Sequence, residues 1–327
     1  MRTTFLIFII LVLGITLHAD EGVPLLPFKQ VVLWGHKLHS HTHSYIHYAF
    51  DKAFSHLGYK TYWLDDSDDV SNIDFSDSLF ITEGQVDEKI PLRSDCTYIL
   101  HNCYSSKYND LYKQGNCITL QVFTHACTTR NVQKIEDYIY YDIENKTIYM
   151  PWATDLLPHE IDTIKNNLGK IKKRRSIFFV GTIGAAKFGN IPQIDPFKKA
   201  CQQNGIKFQQ GWGLSEAENI ALIQKSCMAP AIQGEWQCRE GYIPCRIFKN
   251  ISYGQFGITN SETVYNLFNK KIIYHPDTYQ LFHKASKQLQ NLKQHELHEL
   301  MDFVRDHHTY LNRIRNIFDF IVLIGSQ

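Results

Sequence analysis

GYIPCRIFKNISYGQFGITN, residues 241–260 of this 327-residue chain, is the stretch that decides the fold. Pro244 disfavours helix before it, and apolar residues then recur at helical spacing until Gly254, which suits a helix end. Residues 256–259 have the pattern of a short buried strand, and the polar residues after them can cap another helix. The order of loop, helix, strand and helix is typical of an α/β fold.

Arg246 falls in the first turn of that predicted helix. The backbone N–H groups at a helix N-terminus lack partners and the dipole there is positive, so a diphosphate can dock at this end. Arg246 and Lys249 are three positions apart and therefore share about the same helix face, as charged partners for the phosphates. The segment thus indicates a site for a phosphorylated ligand.

The same segment resembles the donor-binding end of GT-B glycosyltransferases, in which Arg-x-Phe-Glu precedes a few small residues, a glycine, and a strand ending in Thr-Asp or Thr-Asn. Here RIFK at residues 246–249 is followed by Gly254 and by Thr-Asn at residues 259–260. The acid that usually follows the Phe is Lys249, and a second position that is often acidic in retaining members is Gly241. These departures leave the stereochemistry of transfer open.

Two further segments extend the resemblance. FVGTIG at residues 179–184 resembles the first strand and the phosphate-side loop of the GT-B C-terminal domain. HHTYLNRIRNIF at residues 307–318 resembles its closing helix, part of a final helix predicted from about residue 295 to 320. MPWATD at residues 150–155 resembles the segment through which such chains cross into the second domain.

The resemblance implies an α/β fold of two Rossmann-like domains that face each other across a cleft. Residues 20–155 would form the acceptor side and residues 156–327 would bind the nucleotide sugar. The implied activity is transfer of a sugar, by a hexosyltransferase-like and metal-independent enzyme without a cofactor, from a nucleotide-sugar donor to a glycan, lipid or protein acceptor.

The donor contacts that the resemblance implies lie in the second half of the chain. Catalysis on this side needs positive charge and N–H donors for the departing diphosphate, so Arg246 is the expected catalytic residue. The expected contacts are Gly181 and Thr182 at the diphosphate, Arg246 and Lys249 as its charge partners, and Thr259, Asn260, Ser261 and Glu262 beside the nucleotide or sugar.

The first half also alternates predicted strands and helices. Residues 45–57 carry apolar side chains at helical spacing, and short apolar runs that read as buried strands occur at residues 31–34, 61–64, 79–82, 98–101 and 118–123. Such alternation favours a mostly parallel sheet, whose ligands gather at the carboxyl ends of the strands. His36, Glu83 and His101 follow predicted strands, so we expect them to contact the acceptor.

Five histidines crowd GHKLHSHTHSYIH, residues 35–47. In a loop that faces the cleft, His41 or His43 can accept the proton of the acceptor hydroxyl, because imidazole titrates near neutrality. The alternation of His39, His41 and His43 also suits metal ligands on an extended strand, and His43 and His47 have the i, i+4 spacing of one helix face. A third alternative is a set of exposed loop residues. We predict the catalytic function, with no bound metal.

DDSDD at residues 65–69 contains an Asp-x-Asp, which holds a divalent cation on the donor diphosphate in the other large glycosyltransferase fold. A solvated turn explains it as well, because Asp and Ser are common turn residues. Since Arg246 and a helix N-terminus are available for the phosphates, a carboxylate-bound Mg²⁺ is redundant and is not expected.

Composition and the N-terminus limit the remaining classes. Lys and Arg total 34 against 33 Asp and Glu, so no overall field attracts nucleic acid, and no nucleic-acid partner is expected. An apolar run at residues 5–17 predicts a signal peptide or signal anchor over residues 1–19, hence the secretory route or membrane attachment. Eight cysteines permit disulfides, but none forms a C-x-x-C pair. The rival class is a non-catalytic secreted protein that binds metal or glycan.

Overall fold

The structure is a computed structural model, and it describes residues 16–18, 23–39, 43–84, 86–101, 105–129, 132–185 and 188–326. Helices and strands alternate along most of these residues. The strands are β1 Thr16–His18, β2 Val23–Leu25, β3 Gln30–Trp34, β4 Thr61–Leu64, β5 Ser78–Thr82, β6 Thr97–His101, β7 Cys117–Gln121, β8 Gln133–Glu136, β9 Ile139–Asp142, β10 Thr147–Tyr149, β11 Ser176–Val180, β12 Lys207–Gly211, β13 Pro230–Ala231, β14 Ile258–Thr259 and β15 Ile273–Tyr274. The α-helices are α1 Ser44–His56, α2 Asn109–Gln114, α3 Pro158–Asn166, α4 Ile191–Gln203, α5 Glu216–Lys225, α6 Glu235–Arg239, α7 Cys245–Ser252, α8 Glu262–Leu267, α9 Thr278–Gln288, α10 Gln294–His307 and α11 Tyr310–Gly325.

The first half of the chain forms an eight-stranded sheet in the order β4-β3-β5-β6-β7-β10-β9-β8. The strands from β4 to β10 in this order are parallel, whereas β9 and β8 run antiparallel to their neighbours. The five strands predicted in this half are confirmed to within two residues at each end. The β8–β9–β10 extension is not among the predictions, because β8 has the sequence QKIE, is fully exposed and shows no apolar run.

The second half forms two smaller parallel sheets, β11-β12 and β13-β14-β15. The helix predicted after Pro244 is α7, with Pro244 at its N-cap and Gly254 in the left-handed region just beyond it. Ser261 caps α8, because its side chain accepts a hydrogen bond from the backbone N–H of Val264. Each half has its own hydrophobic core.

The last helix returns to the first half, as predicted, but it is broken in two. The Asn312 side chain accepts hydrogen bonds from both the backbone N–H and the hydroxyl of Thr309, and this capping arrangement starts α11 one residue later. Ile314 and Phe318 of α11 are buried in the core of the first half. Thr309 also forms a parallel bridge with Thr154, so the two segments that cross between the halves lie side by side.

Arg313 joins these two crossing segments. Its side chain is fully buried, and its guanidinium donates to the carbonyls of Pro151 at 2.7 Å, Trp152 at 3.1 Å and His307 at 3.2 Å. The carbonyls belong to both crossings, so one side chain fixes how the chain passes between the halves.

Replacing Arg313 with Met is therefore expected to destabilise the fold. The change leaves buried carbonyls without donors and should lower the free energy of unfolding by about 2–3 kcal/mol, measured by urea denaturation. Arg305→Met is the matched control, because Arg305 makes its ion pairs with Asp162, Asp302 and Asp306 at the surface and should cost less than about 1 kcal/mol. Equal losses in the two variants would contradict the role given to Arg313.

The predicted signal segment, residues 1–19, lies outside the described residues except for β1, which pairs with β2. Among the described helices, none has the length and apolar character needed to cross a membrane. The cysteines whose side chains the structure describes are free thiols, so the permitted disulfides do not form among Cys96, Cys117, Cys201, Cys227, Cys238 and Cys245.

Candidate active site in the cleft

A cleft of about 850 Å³ lies between the two halves. It is lined by residues that follow parallel strands, among them Glu83 after β5, Phe123 after β7, Gly181 after β11 and Trp212 after β12, together with His43 at the start of α1. The carboxyl ends of parallel strands are where α/β sheets bind ligands. The volume suits a ligand of nucleotide-sugar size.

The loop after β11 is shaped by its contacts. Gly181 has a φ of 131°, and a Cβ at this position would collide with Arg246 Nη2, so only glycine fits. The Gly181 carbonyl accepts from Gln210 Nε2 at 2.8 Å, and Asn190 Oδ1 accepts from the Gly184 N–H at 3.2 Å. Gly181 and Thr182, both predicted to contact the donor, therefore lie in a loop that is held by hydrogen bonds at the cleft wall.

Arg246 lines the cleft from the first turn of α7. Its Nε donates to the Val180 carbonyl at 2.8 Å, and its guanidinium lies 4.0 Å from the centre of the Phe179 ring. Burial lowers the pKa of Arg246. No carboxylate among the described residues forms an ion pair with it. Its Nη1 also donates to the Ile232 carbonyl at 3.4 Å, so two carbonyls and an aromatic face hold a partly desolvated cation, and such a site favours an anion.

Lys249 also lines the cleft, but its charge is balanced within the chain. Lys249 Nζ lies 2.7 Å from Asp155 Oδ2, and the same carboxylate accepts from the Tyr253 hydroxyl. Lys249 as a charge partner of the phosphates, secondary to Arg246, therefore stays a prediction, and the ion pair with Asp155 lowers the charge that it can offer. Helical spacing placed them on one face, but it gave no sign of the carboxylate that reaches Lys249 from the crossing segment.

The residues predicted beside the nucleotide, 259–262, are not among those that line the cleft. The Thr259 hydroxyl is buried and donates to the Ala231 carbonyl, Ser261 caps α8, and Glu262 is exposed. Asn260 exchanges two hydrogen bonds with the backbone of Gln233, which does line the cleft. Thr259, Asn260 and Ser261 therefore make contacts within the second half of the chain and do not line the cleft.

At the wall formed by the first half, Glu83 lies between two histidines. Glu83 Oε2 accepts from His36 Nε2, and Glu83 Oε1 lies 2.7 Å from His43 Nδ1. Burial by itself would raise the pKa of Glu83, but the hydrogen bonds from His36 and His43 hold it well below its usual range. His36 and His39 have φ values of 50° and 70°, which are uncommon for residues other than glycine and often mark functional loops. His43 and Glu83 line the cleft, and His36 lies behind them.

His101 lies in the core beneath this wall and does not line the cleft, contrary to the prediction that it contacts the acceptor. The Gly35 carbonyl can only accept, so His47 Nδ1 donates to it at 2.9 Å. With neutral rings, His47 Nε2 then accepts from His101 Nε2, also at 2.9 Å. The centre of the His101 ring lies 5.2 Å from that of His43, so the buried His47–His101 pair packs against the side of His43 that faces the core.

Acid is expected to destabilise the protein through its buried histidines. Burial lowers the pKa of His47 to about 3, and those of His101 and His308 well below 6.5. The unfolded chain then binds more protons, so the stability is complete above pH 6.5 and is lost as the pH falls below it. For His47 the loss is about 1.4 kcal/mol per pH unit down to about pH 3. Urea midpoints at about pH 7.5 and about pH 5.5 measure this, and an unchanged midpoint would contradict it.

The aromatic residues of the cleft are absent from the sequence predictions. Trp236 packs against Phe188 and Phe123, with ring centres 4.5 and 4.8 Å apart, and Tyr242 adjoins Phe123. Phe188 and Trp212 remain more than half exposed at the cleft. The sequence does offer one indication of them, because glycines adjoin both residues. Glycines are typical of loops, and a large aromatic side chain in a loop is often not part of the hydrophobic core.

The Asp-rich segment at residues 65–69 is a turn outside the lining of the cleft. Asp65 accepts from the N–H and hydroxyl of Ser67, and Asp66 accepts from the Trp34 indole. Such hydrogen bonds from Asp side chains to nearby groups are typical of a turn, which was the alternative to a site for a divalent cation. His41, the other predicted catalytic histidine, lies outside the described residues.

No family model matches this chain, and no curated protein matches it by sequence. Solved structures do match it. An alpha-glucosyltransferase in complex with UDP and a 13-mer DNA containing a central A:G mismatch is 10% identical, with a TM-score of 0.56 over 89% of this chain and 99% of that one. The alpha-glucosyltransferase in complex with UDP gives 9% identity, the same TM-score and the same coverage. An alpha-glucosyltransferase complex with UDP and a DNA containing an HMU base gives 10% identity and a TM-score of 0.51, over 90% of this chain and 100% of that one.

The chain has the GT-B fold. The resemblance seen in residues 241–260 is thus confirmed for the fold. Structures that share only about 10% of their residues with this chain show the fold alone. Two of these three complexes contain DNA, so the expectation of no nucleic-acid partner stays a prediction for this chain.

Proposed function

We propose that this chain is a glycosyltransferase that moves a sugar from a nucleotide-sugar donor to a hydroxyl group of an acceptor. The observation that carries the proposal is the guanidinium of Arg246, which lines the cleft and has no carboxylate partner among the described residues. A partly buried cation of this kind favours an anionic ligand.

On the donor side, the diphosphate would lie between the loop that begins at Gly181 and the N-terminus of α7. The guanidinium fork of Arg246 suits two phosphate oxygens, and the helix dipole adds positive potential. Negative charge grows on the diphosphate as the bond to the sugar breaks, so these groups stabilise the transition state more than the bound donor. The exposed faces of Trp212 and Phe188 offer a stacking surface for the sugar or the base.

On the acceptor side, His43 would take the proton of the attacking hydroxyl. Its Nδ1 faces Glu83, so Nε2 would be the atom that takes the proton, and the carboxylate would stabilise the imidazolium that forms. The pair lies at the wall of the first half, and the donor residues lie in the second half. We further propose that the enzyme is hexosyltransferase-like, that the halves divide near residue 155, and that the chain follows the secretory route with a glycan, lipid or protein acceptor.

Hydrolysis of a panel of UDP-, GDP-, ADP- and dTDP-sugars by the purified chain tests the proposal, with release of the nucleoside diphosphate as readout. We expect one class of donor to be hydrolysed and its nucleoside diphosphate to raise the melting temperature. A chain that hydrolyses no donor and is stabilised only by Zn²⁺ would instead support the rival class, a non-catalytic metal-binding protein. The acceptor panel includes DNA beside glycans, lipids and proteins, because two similar structures contain DNA.

A further inference from the structure

Three possible metal ligands meet at the acceptor wall of the cleft. One ligand atom each from His36, His43 and Glu83 lie within 4.8 Å of one another. Two imidazoles and one carboxylate are the ligand set of zinc sites that keep a fourth position open. This set differs from the His39, His41 and His43 alternation that the sequence offers, because Glu83 comes from another strand.

Rigid elements hold all three residues. Trp34 and Thr82 are register partners on the adjacent strands β3 and β5, so the segments that follow them start side by side. His36 lies two residues after β3, Glu83 directly follows β5, and His43 is the N-cap residue of α1. Their convergence therefore depends on the sheet and not on a loop alone, which is the condition for a well-defined site.

The three side chains are also shielded from solvent. The exposed fractions of the side chains are 8% for His36, 18% for His43 and 7% for Glu83, and the most exposed of them, His43, lines the cleft together with Glu83. The rings of His47 and His101 pack against those of His36 and His43, with centres 5.8 and 5.2 Å apart, and limit their rotation.

The geometry needs only a small adjustment to accept an ion. Zinc bonds of about 2.0–2.1 Å in a tetrahedron place neighbouring ligand atoms about 3.3 Å apart. His43 Nδ1 and Glu83 Oε1 are 2.7 Å apart, so these two atoms would separate by less than about 1 Å, and the shorter contact between His36 Nε2 and Glu83 Oε2 would lengthen as well. One carboxylate and two neutral imidazoles also leave a net attraction for a divalent cation.

We propose that His36, His43 and Glu83 bind one Zn²⁺ ion, with the fourth position of the ion directed to the cleft. A second consequence rests on the proposed function: zinc on this group engages the His43–Glu83 pair that would otherwise receive the acceptor proton, so the bound ion inhibits sugar transfer. The site is then a point at which metal availability controls the enzyme.

Competition with a chromophoric chelator, on the full chain freed of metal by dialysis, measures zinc binding without any donor. We expect one Zn²⁺ per chain, and a zinc affinity at least about a hundredfold weaker in His36→Ala and in Glu83→Gln. Loss of a residue that only hydrogen-bonds to a metal ligand weakens metal binding about 10–100-fold, and loss of a ligand itself should cost more. His39→Ala is the matched control, because His39 lies on the same loop, is exposed and is not in the ligand group, so it should bind zinc as the wild type does. Urea unfolding of each variant shows whether it is folded.

Absence of stoichiometric binding in the wild type, or equal affinity in folded His36→Ala and the wild type, would overturn the site. The inhibition is tested separately by donor hydrolysis with one equivalent of Zn²⁺, where we expect at least about a tenfold lower rate. A rate that is unchanged or raised while zinc is bound would overturn the inhibition. A chain that binds zinc as expected but hydrolyses no nucleotide sugar leaves the site standing and removes the proposed function.

Discussion

Arg246→Ala is expected to lower turnover of the nucleotide-sugar donor by on the order of a hundredfold or more, in line with the loss of one strong transition-state donor. The guanidinium combines a fixed positive charge, a planar fork that fits phosphate oxygens and a place in the first turn of α7. Its contribution grows as the diphosphate departs. Steady-state release of the nucleoside diphosphate at saturating donor measures the effect.

Two variants control this experiment. Arg246→Lys keeps the charge but loses the fork, so it should fall between the wild type and Arg246→Ala. Lys249→Ala should lower turnover less than Arg246→Ala, because Lys249 is already paired with Asp155. Arg246→Ala should remain folded. Among the described residues no carboxylate is paired with the guanidinium, so the substitution leaves no buried negative charge unpaired. A turnover that Arg246→Ala leaves unchanged would mean that the residue is part of the packing only.

His43→Ala is expected to lower kcat by about a thousandfold, within the range of 10²–10⁴ that positioned proton transfer contributes. Affinity for the nucleoside diphosphate should stay unchanged, because His43 belongs to the acceptor wall and Arg246 to the donor wall. Glu83→Gln should also lower kcat, since the neutral amide cannot stabilise an imidazolium beside it.

The split between kcat and nucleotide affinity is what separates this role from a structural one. A variant that lost nucleotide binding along with turnover would point to a collapsed cleft. An unchanged kcat in folded His43→Ala would remove the residue from the reaction and leave acceptor activation to a group not yet identified.

Local patterns in the sequence were sufficient for the five predicted strands of the first half and for the helix after Pro244. Apolar runs located β3 to β7, and Pro244, Gly254 and Ser261 marked the ends of α7 and the start of α8, because these residues restrict the backbone by themselves. Gly181 and Arg246 were predicted at one site, and the structure shows the glycine making room for the guanidinium.

Side-chain direction and long-range partners were not predictable in the same way. His101 is the last residue of β6 and Glu83 directly follows β5, yet His101 lies in the core, where its Nε2 is paired with His47. Thr259 is buried on β14, and Lys249 is paired with Asp155, a residue far away in the chain. Periodicity fixes which face a residue shares, but it does not say what is packed against that face.

The central claim is that a nucleoside diphosphate binds in the cleft through Arg246. Calorimetric titration with UDP, GDP, ADP and dTDP, of the wild type and of Arg246→Ala side by side, tests it most directly. We expect at least one of the four to bind the wild type with one molecule per chain, and Arg246→Ala to weaken this binding by about tenfold or more, as for a lost charge-assisted contact. Failure of all four to bind, or equal affinity in the two proteins, would contradict it.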